Sequence, residues 1–104
     1  MTKLTVSTIY IYPCPSRPRL RDIAAVRLTC RSGGYCLRVE QLYDLLRVHP
    51  RSIQAGSSLL FPIKNGRGQK LVMTEPDESG IDCLFHLPCI VIDGLRRFPE
   101  QSHP

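Results

Sequence analysis

The most regular pattern of apolar and polar positions lies between residues 38 and 48. Apolar side chains recur there at helical spacing, at Val39, Leu42, Leu45 and Leu46. Charged and amide side chains occupy the positions between them, so one face of the segment is apolar and the other is polar. This spacing predicts an amphipathic helix that packs on a core and ends by Val48, because Pro50 disfavours helical geometry at the residue before it.

A second, shorter helix is predicted after the His49-Pro50 break. Pro50 and Ser52 are both suited to the first turn of a helix, which would continue through Ile53, Gln54 and Ala55. The Gly-Ser-Ser sequence that follows ends it after fewer than two turns. A recognition helix normally needs about three turns to present several side chains to base edges.

Alternating apolar and polar positions predict strands on both sides of the helix. Segments 4–12 and 23–31 are rich in β-branched residues, and a Ser-Gly-Gly turn returns the second of them as a strand over 35–39. Segments 59–63 and 69–73 flank an Asn-Gly turn, which predicts a second hairpin. Pro88 divides the last apolar stretch into a short helix or strand over 81–87 and a buried strand over 89–92.

These elements predict a single domain over residues 1–104 of the α+β class. The expected architecture is a small antiparallel sheet of hairpins with one or two short helices, arranged like a winged helix. Its parts would be N-terminal strands (1–37), a helix-turn-hairpin unit (38–73), a C-terminal core segment (81–95) and a tail (96–104). A chain of 104 residues is too short for a core plus an ordinary enclosed substrate cavity, which favours binding over catalysis.

Charge is unevenly distributed along the chain. The net charge is +5, but residues 1–70 carry twelve Lys/Arg against three acids, a net +9, while residues 71–104 carry two Lys/Arg against six acids, a net −4. Such a division is typical of a basic surface for a polyanion. The alternative interpretation is a solvated surface whose charges keep the protein soluble. The sequence holds neither a secretory segment nor an apolar run of membrane-spanning length, so we expect a cytoplasmic protein without membrane contact.

Three groups of polar residues are the candidate nucleic-acid contacts. Cations on the second hairpin would reach phosphate as a wing does, Arg51 and Gln54 come from the short second helix, and three arginines at every second position would share one side of an extended backbone. The candidate residues are Lys64, Arg67, Lys70, Arg51, Gln54, Arg17, Arg19 and Arg21. The alternatives are a solvated turn for the hairpin and a charged edge that resists aggregation for the arginines.

The five cysteines are an odd number and predict reduced thiols rather than a disulfide framework. Cys83, His86 and Cys89 are spaced C-x2-H-x2-C, which would supply three zinc ligands, with Cys30 or Cys36 as the fourth. The favoured interpretation is buried thiols and a packed core histidine, with no metal and no cofactor. No histidine has a Ser or Cys partner at a recognisable spacing, and no Gly-rich loop precedes a helix with the Lys-Ser/Thr of a phosphate cradle, so no enzymatic activity is predicted.

Several segments resemble phage proteins that regulate transcription. The run Gly34-Tyr-Cys-Leu-Arg-Val-Glu-Gln-Leu-Tyr-Asp-Leu-Leu-Arg-Val, the later Gly68-Gln-Lys-Leu-Val-Met and Glu78-Ser-Gly-Ile-Asp-Cys-Leu-Phe85 resemble the BRO-type N-terminal domain of phage and viral antirepressors. The segment 39–72 also resembles small excisionase-type helix-turn-helix proteins. Each resemblance covers about half the chain. They imply DNA binding in phage-type regulation, with Arg51, Lys64, Arg67 and Lys70 in the contact region.

Two functions therefore remain open. The first is a DNA-binding regulator, and the second is a small phage-encoded inhibitor or adaptor that binds another protein through a sheet edge or through the Leu42/Tyr43 face of the helix. Either would be compatible with a homodimer, since small regulators commonly pair by two-fold symmetry.

Overall fold

The computed structural model describes residues 4–75, 78 and 81–92, and these residues form one α-helix, eight strands and two short 3-10 turns. In chain order the elements are β1 (Leu4–Ile11), a 3-10 turn (Leu20–Asp22), β2 (Ile23–Cys30), β3 (Gly33–Arg38), α1 (Val39–Val48), β4 (Ile53–Ala55), β5 (Ser58–Leu59), β6 (Phe61–Lys64), β7 (Lys70–Met73), a 3-10 turn (Cys83–His86) and β8 (Cys89–Val91). The predicted α+β class is confirmed. The predicted tail, residues 96–104, and residues 93–95 of the C-terminal segment lie outside the described residues.

The main sheet is mixed, so the prediction of an antiparallel sheet is wrong. Its strands lie in the order β3-β2-β1-β4-β5. Strand β1 pairs antiparallel with β2, but parallel with β4 near its start and parallel with β8 near its end. The parallel pairing with β4 arises because α1 connects β3 to β4 as a crossover, which brings the chain back in the direction of β1. These pairings join residues that are distant in sequence, so no local pattern predicts them.

The predicted second helix is also wrong. Residues Ile53–Ala55 form strand β4, with Ile53 and Ala55 fully buried and Gln54 half-buried between them. Gly56 then adopts a positive φ of 61°, and the chain turns back into β5. With a strand in place of the recognition helix, the winged-helix arrangement is not confirmed.

The core lies between one face of the main sheet and α1. From the sheet, Val26 and Leu28 are fully buried, and from the helix the predicted stripe supplies Leu42 and Leu46, also fully buried. Burying one such side chain contributes about 1.5–3 kcal/mol. A smaller cluster on the opposite sheet face contains Tyr10, Ala24, Ala25, Cys36 and Ile92. The amphipathic helix is therefore confirmed, and it holds α1 against β2 and β3.

The hairpin of β6 and β7 packs on α1 as a separate two-stranded sheet. Its turn does not have the tight Asn-Gly geometry that the sequence predicts. Gly68 adopts the positive φ, 77°, and the side-chain oxygen of Asn65 accepts hydrogen bonds from the backbone N–H groups of Arg67 and Gln69, each at 3.0 Å. The result is a longer loop whose residue in the left-handed conformation is Gly68.

The C-terminal segment departs from the prediction in its burial. Its 3-10 turn inserts Leu84 fully into the core, but β8 is exposed along all three of its residues rather than buried. His86 is also exposed, so the prediction of a packed core histidine is wrong. Asp82 caps the turn by accepting a hydrogen bond from the N–H of Leu84. The segment is thus anchored at Asp82 and Leu84.

We expect Gly34→Ala to destabilise the fold by about 1–3 kcal/mol, because the new Cβ would clash with backbone that cannot move without disturbing the strand pairing. That atom would lie 2.8 Å from the carbonyl oxygen of Leu28, across the β2–β3 pair. Gly66→Ala is the matched control, since no atom lies within 4 Å of its Cβ position. Urea unfolding of both variants measures the difference. Equal stabilities would contradict the close approach of β2 and β3 at Gly34.

Candidate nucleic-acid interface

Helix α1 and the β6–β7 hairpin meet at Tyr43. This residue lies beside Leu42 on the helix, at the border of the core-facing stripe, and the hairpin packs against that border. As a result the tyrosine is only 6% exposed. The Leu42/Tyr43 helix face, predicted as a protein-binding surface, is therefore buried by the protein's own hairpin and is not available to a partner.

Three cations surround the ring of Tyr43. The guanidinium carbon of Arg47 lies 6.0 Å from the ring centroid, Lys64 Nζ lies 5.9 Å from it and Lys70 Nζ 5.4 Å. The negative face of an aromatic ring attracts cations at this range by about 0.5–1 kcal/mol each at exposed sites. We call Arg47, Lys64 and Lys70 the Tyr43 cation cluster. All three cations therefore lie near the same ring, although they come from two elements, α1 and the β6–β7 hairpin.

One carboxylate partly offsets these charges. Lys70 Nζ lies 2.9 Å from Asp44 Oδ1, and both side chains are solvent-accessible, at 37% and 62%. Exposed ion pairs of this kind contribute about 0–1 kcal/mol and are screened by salt. Within the described part of the chain, no carboxylate oxygen lies within 4.0 Å of the Arg47 or Lys64 cation. The cluster with Asp44 therefore carries a net charge of +2 on an exposed surface.

The structure brings together the hairpin residues that the sequence singled out. Lys64 and Lys70 face each other across the β6–β7 pair, and Arg67 is exposed in the turn that joins the two strands. Asn65 fixes that turn through its side chain, which also donates a hydrogen bond to Gln69 Oε1 at 3.0 Å. The turn is therefore ordered by its own side chains, and Arg67 is carried at its tip.

Arg51 and Gln54 are not presented by a helix. Arg51 lies in the turn after α1 with a positive φ of 63°, and it is exposed. Gln54 lies in β4, where its backbone is paired with Thr5 on one side and Leu59 on the other. Gln54 is half-buried within the sheet, so its predicted place on a short second helix is wrong, while its contact with nucleic acid stays a prediction. Contact of Arg51 with a phosphate stays a prediction.

The three N-terminal arginines do not form the predicted extended ribbon. Arg21 lies within the 3-10 turn Leu20–Asp22, and the backbone N–H of Arg19 donates to Asp22 Oδ2 at 2.8 Å. A 3-10 turn repeats every three residues, so side chains two apart do not share a side. Arg17 lines a different site, a cavity beside β8. These arginines are exposed, but the structure does not align them.

Sequence reasoning missed Tyr43, Asp44 and Arg47 as members of this site. A local pattern does connect two of them, because Tyr43 and Arg47 are four residues apart and so are neighbours on a helix surface. The approach of Lys64 and Lys70 to the same ring depends on how the hairpin docks on α1. That contact is tertiary, and the alternation of the hairpin strands does not encode it.

The zinc site that the sequence left as an alternative can be compared with the positions of its candidate ligands. Cys83 Sγ lies 3.4 Å from Ser58 Oγ and 3.8 Å from the carbonyl oxygen of Glu75, while Cys89 Sγ donates to the carbonyl oxygen of Leu87. Among the residues described, no three His, Cys, Asp or Glu side chains are grouped as metal ligands. Cys83 and Cys89 thus have separate protein neighbours.

We expect Cys30 to react with iodoacetamide faster than Cys89 near neutral pH. The hydroxyl of Ser32, 3.2 Å from Cys30 Sγ, lowers the pKa of that thiol, whereas partial desolvation of its sulfur raises the pKa of Cys89, although that residue as a whole is exposed. A lower pKa gives more thiolate at a given pH, so the rate at Cys30 should rise at lower pH than the rate at Cys89. Mass spectrometry of each alkylated cysteine against pH measures this. Ser32→Ala should slow Cys30 and leave Cys89 unchanged; the reverse result would contradict the assigned cause.

Comparison with known proteins adds no relative: neither a protein-family model, nor a curated protein, nor a solved structure matches the chain. The resemblance to BRO-type and excisionase-type proteins therefore stays a prediction. In the described part of the chain, α1 is the one α-helix, and no helix has the length and apolar character needed to cross a bilayer.

Proposed function

We propose that this protein is a small DNA-binding regulator that contacts the phosphate backbone through the Tyr43 cation cluster and Arg67. The observation that carries the proposal is the convergence of three cations on Tyr43, of which, among the described residues, only Lys70 is paired with a carboxylate. Polyanion binding releases counterions from the phosphates that the protein neutralises, so a concentrated group of exposed cations binds more strongly than dispersed ones.

The form of the site favours backbone contact over base readout. Base edges in the major groove are normally read by a helix or a two-stranded ribbon that enters the groove. Here the solvent-facing positions of α1 near the site are Asp44 and Arg47, and both strands of the hairpin pack against the helix. Lysine ammonium groups and an arginine guanidinium suit phosphate oxygens from such a surface. We therefore expect affinity for duplexes with little dependence on sequence.

The proposal is tested by titrating a fluorescently labelled duplex with the protein at several salt concentrations. Four cations in contact with phosphates give a slope of log K against log salt of roughly −3 to −4. Affinity that falls steeply as salt rises supports the proposal. The absence of duplex binding at low salt would overturn it.

Asp44→Asn gives a sharper test because it should strengthen binding. In the folded protein Asp44 competes with phosphate for Lys70. Removing its charge releases that ammonium group and should tighten duplex binding by about five- to tenfold. Fold stability should change by less than about 1 kcal/mol, since the ion pair is exposed. Unchanged or weaker binding would contradict the assignment of Lys70 to the interface. Glu40→Gln, another exposed acid on α1, is the matched control.

A further inference from the structure

A second surface lies along β8, the strand that pairs with the end of β1. It is apolar, whereas the Tyr43 cation cluster is charged. Exposed large apolar side chains are concentrated there. Among the residues described, five large apolar side chains are exposed, and four of them lie in β8 or beside it: Tyr12 at 44%, Ile81 at 37%, Ile90 at 48% and Val91 at 60%. Clustered exposed apolar side chains are typical of an interaction site, whereas isolated ones are ordinary.

The outer edge of β8 has backbone groups available for pairing. Ile9 N–H donates to the Pro88 carbonyl at 3.0 Å, and Ile92 N–H donates to the Ile11 carbonyl at 2.9 Å. In a parallel ladder successive residues point alternately toward and away from the partner strand, so the N–H and C=O groups of Cys89 and Val91 point away from β1. In the part of the chain described, β8 pairs with β1 alone. An unpaired edge of this kind is a template for another strand.

A cavity adjoins the same edge. It has a volume of about 230 Å³ and is lined by Arg17, Pro18, Ile81, Phe85, His86 and Cys89. Ordinary small-molecule sites are larger, about 300–1,000 Å³. A space of this size, with Pro18, Ile81 and Phe85 as its apolar lining and Cys89 of β8 at one side, suits a single apolar side chain that projects from a strand added to that edge. Strand addition with side-chain pockets is a known mode of peptide recognition.

The charge of Arg17 indicates which kind of peptide would bind at the cavity and the edge of β8. Arg17 is exposed on the cavity wall, and no carboxylate oxygen lies within 4.0 Å of its guanidinium among the described residues. An acidic residue next to the apolar side chain would form a charge-assisted pair with it. We propose that the outer edge of β8 binds an extended peptide segment of a partner protein, with an apolar side chain in the cavity and an acidic residue beside Arg17. None of the residues that line this cavity belongs to the Tyr43 cation cluster.

The proposal is tested by selecting a random peptide library displayed on phage against the full chain. Enriched peptides should contain an apolar residue adjacent to Asp or Glu within a stretch free of proline. Fluorescence anisotropy then measures the enriched peptides as synthetic, labelled probes. They should still bind in the presence of saturating duplex. A selection without enrichment, or with enriched peptides that lack the acidic residue, would overturn the proposal.

Two variants distinguish strand addition from nonspecific binding of peptides to the apolar surface. Val91→Pro removes an outward N–H and leaves the β1 ladder intact, so it should weaken the peptides about tenfold. Arg17→Glu should weaken acidic peptides by a similar factor and should bind peptides in which the acid is replaced by lysine. Arg31→Glu is the control, because Arg31 follows the last residue of β2, whereas Arg17 precedes the 3-10 turn that leads into the start of that strand. Peptide affinities unaffected by both Val91→Pro and Arg17→Glu would overturn the site.

The competing occupants are a second copy of this chain and the chain's own C-terminal residues. Sedimentation of the full chain gives its mass, and a dimer that Val91→Pro dissociates would mean that a second copy pairs with β8, which overturns the proposal. Hydrogen exchange of the Val91 amide should be fast in the protein alone and slow with peptide bound. Slow exchange before peptide is added would mean that the edge is already covered, and would also overturn it.

Discussion

Replacing Asp82 by alanine is expected to lower the free energy of unfolding by about 3–5 kcal/mol, a large share of the stability of a domain of this size. The carboxylate is buried, at 8% exposure, and it accepts three hydrogen bonds from residues that the structure describes. Thr74 Oγ1 donates to it at 2.6 Å, Thr74 N–H at 2.8 Å and Leu84 N–H at 3.0 Å. Alanine would leave these donors without a partner, and Thr74 is fully buried.

The loss is larger than that of one hydrogen bond because Asp82 joins two parts of the chain. Thr74 follows β7, and Leu84 is the side chain that anchors the C-terminal 3-10 turn in the core. Thr74 Oγ1 also accepts a hydrogen bond from Cys83 N–H at 3.0 Å. Losing the carboxylate therefore loosens the turn and exposes apolar surface around Leu84 as well as unpairing donors.

Urea unfolding of three variants separates these contributions. Asp82→Asn keeps an oxygen for Thr74 Oγ1 and Leu84 N–H but turns an NH₂ toward Thr74 N–H, so its cost should lie between those of wild type and Asp82→Ala. Asp44→Asn is the control for an exposed carboxylate and should change stability by less than about 1 kcal/mol. If Asp82→Ala were no more destabilising than Asp44→Asn, the buried network would not hold the C-terminal segment.

Local patterns in the sequence predict those elements whose periodicity the core imposes. The stripe of Val39, Leu42 and Leu46 predicts α1 because each of these residues must face the sheet. The hairpin of β2 and β3 follows from alternation and from the nearby glycines, although Arg31 and Ser32 form its loop and Gly33 and Gly34 already pair with β2. In both cases neighbours in sequence are neighbours in space, so a pattern of a few residues contains the information.

The predictions are wrong where residues distant in sequence determine the conformation of a short segment. Ile53–Ala55 has a helix-compatible sequence, but it is a strand because Leu4 and Thr5 of β1 offer it a parallel edge. Its alternation of buried Ile53 and Ala55 around Gln54 was a local indication of a strand, although three residues are too few to decide. The predicted burial of β8 is wrong for a similar reason. Its apolar sequence predicts a buried strand, but β8 lies with its outer edge exposed.

The candidate site was only half predictable for the same reason. The Asn-Gly turn and its flanking cations mark the hairpin as basic, which names Lys64, Arg67 and Lys70. The surface they join is set by docking of the hairpin on α1, which adds Arg47 and Asp44 and buries Tyr43. Charge on a hairpin can be identified from sequence, whereas the local excess of charge depends on tertiary contacts.

Charge reversal in the cluster should have the largest effect on binding. Arg47→Glu with Lys64→Glu removes two phosphate contacts and introduces two repulsive charges, so affinity for a duplex near 0.1 M salt should fall by about a hundredfold or more. The salt slope should become shallower by about two. The matched variant is Arg19→Glu with Arg21→Glu, which changes the net charge equally on a different element.

The comparison between the two double variants decides whether a site exists. If affinity depends on the cations that converge on Tyr43, the first pair weakens binding more than the second, because only the first pair removes cations that lie near this ring. Equal losses would mean that net charge alone attracts DNA, which would contradict an interface at the cluster. A larger loss from the second pair would move the interface to the segment before β2. Thermal unfolding of both variants checks that the fold is retained, which is expected because all four side chains are exposed.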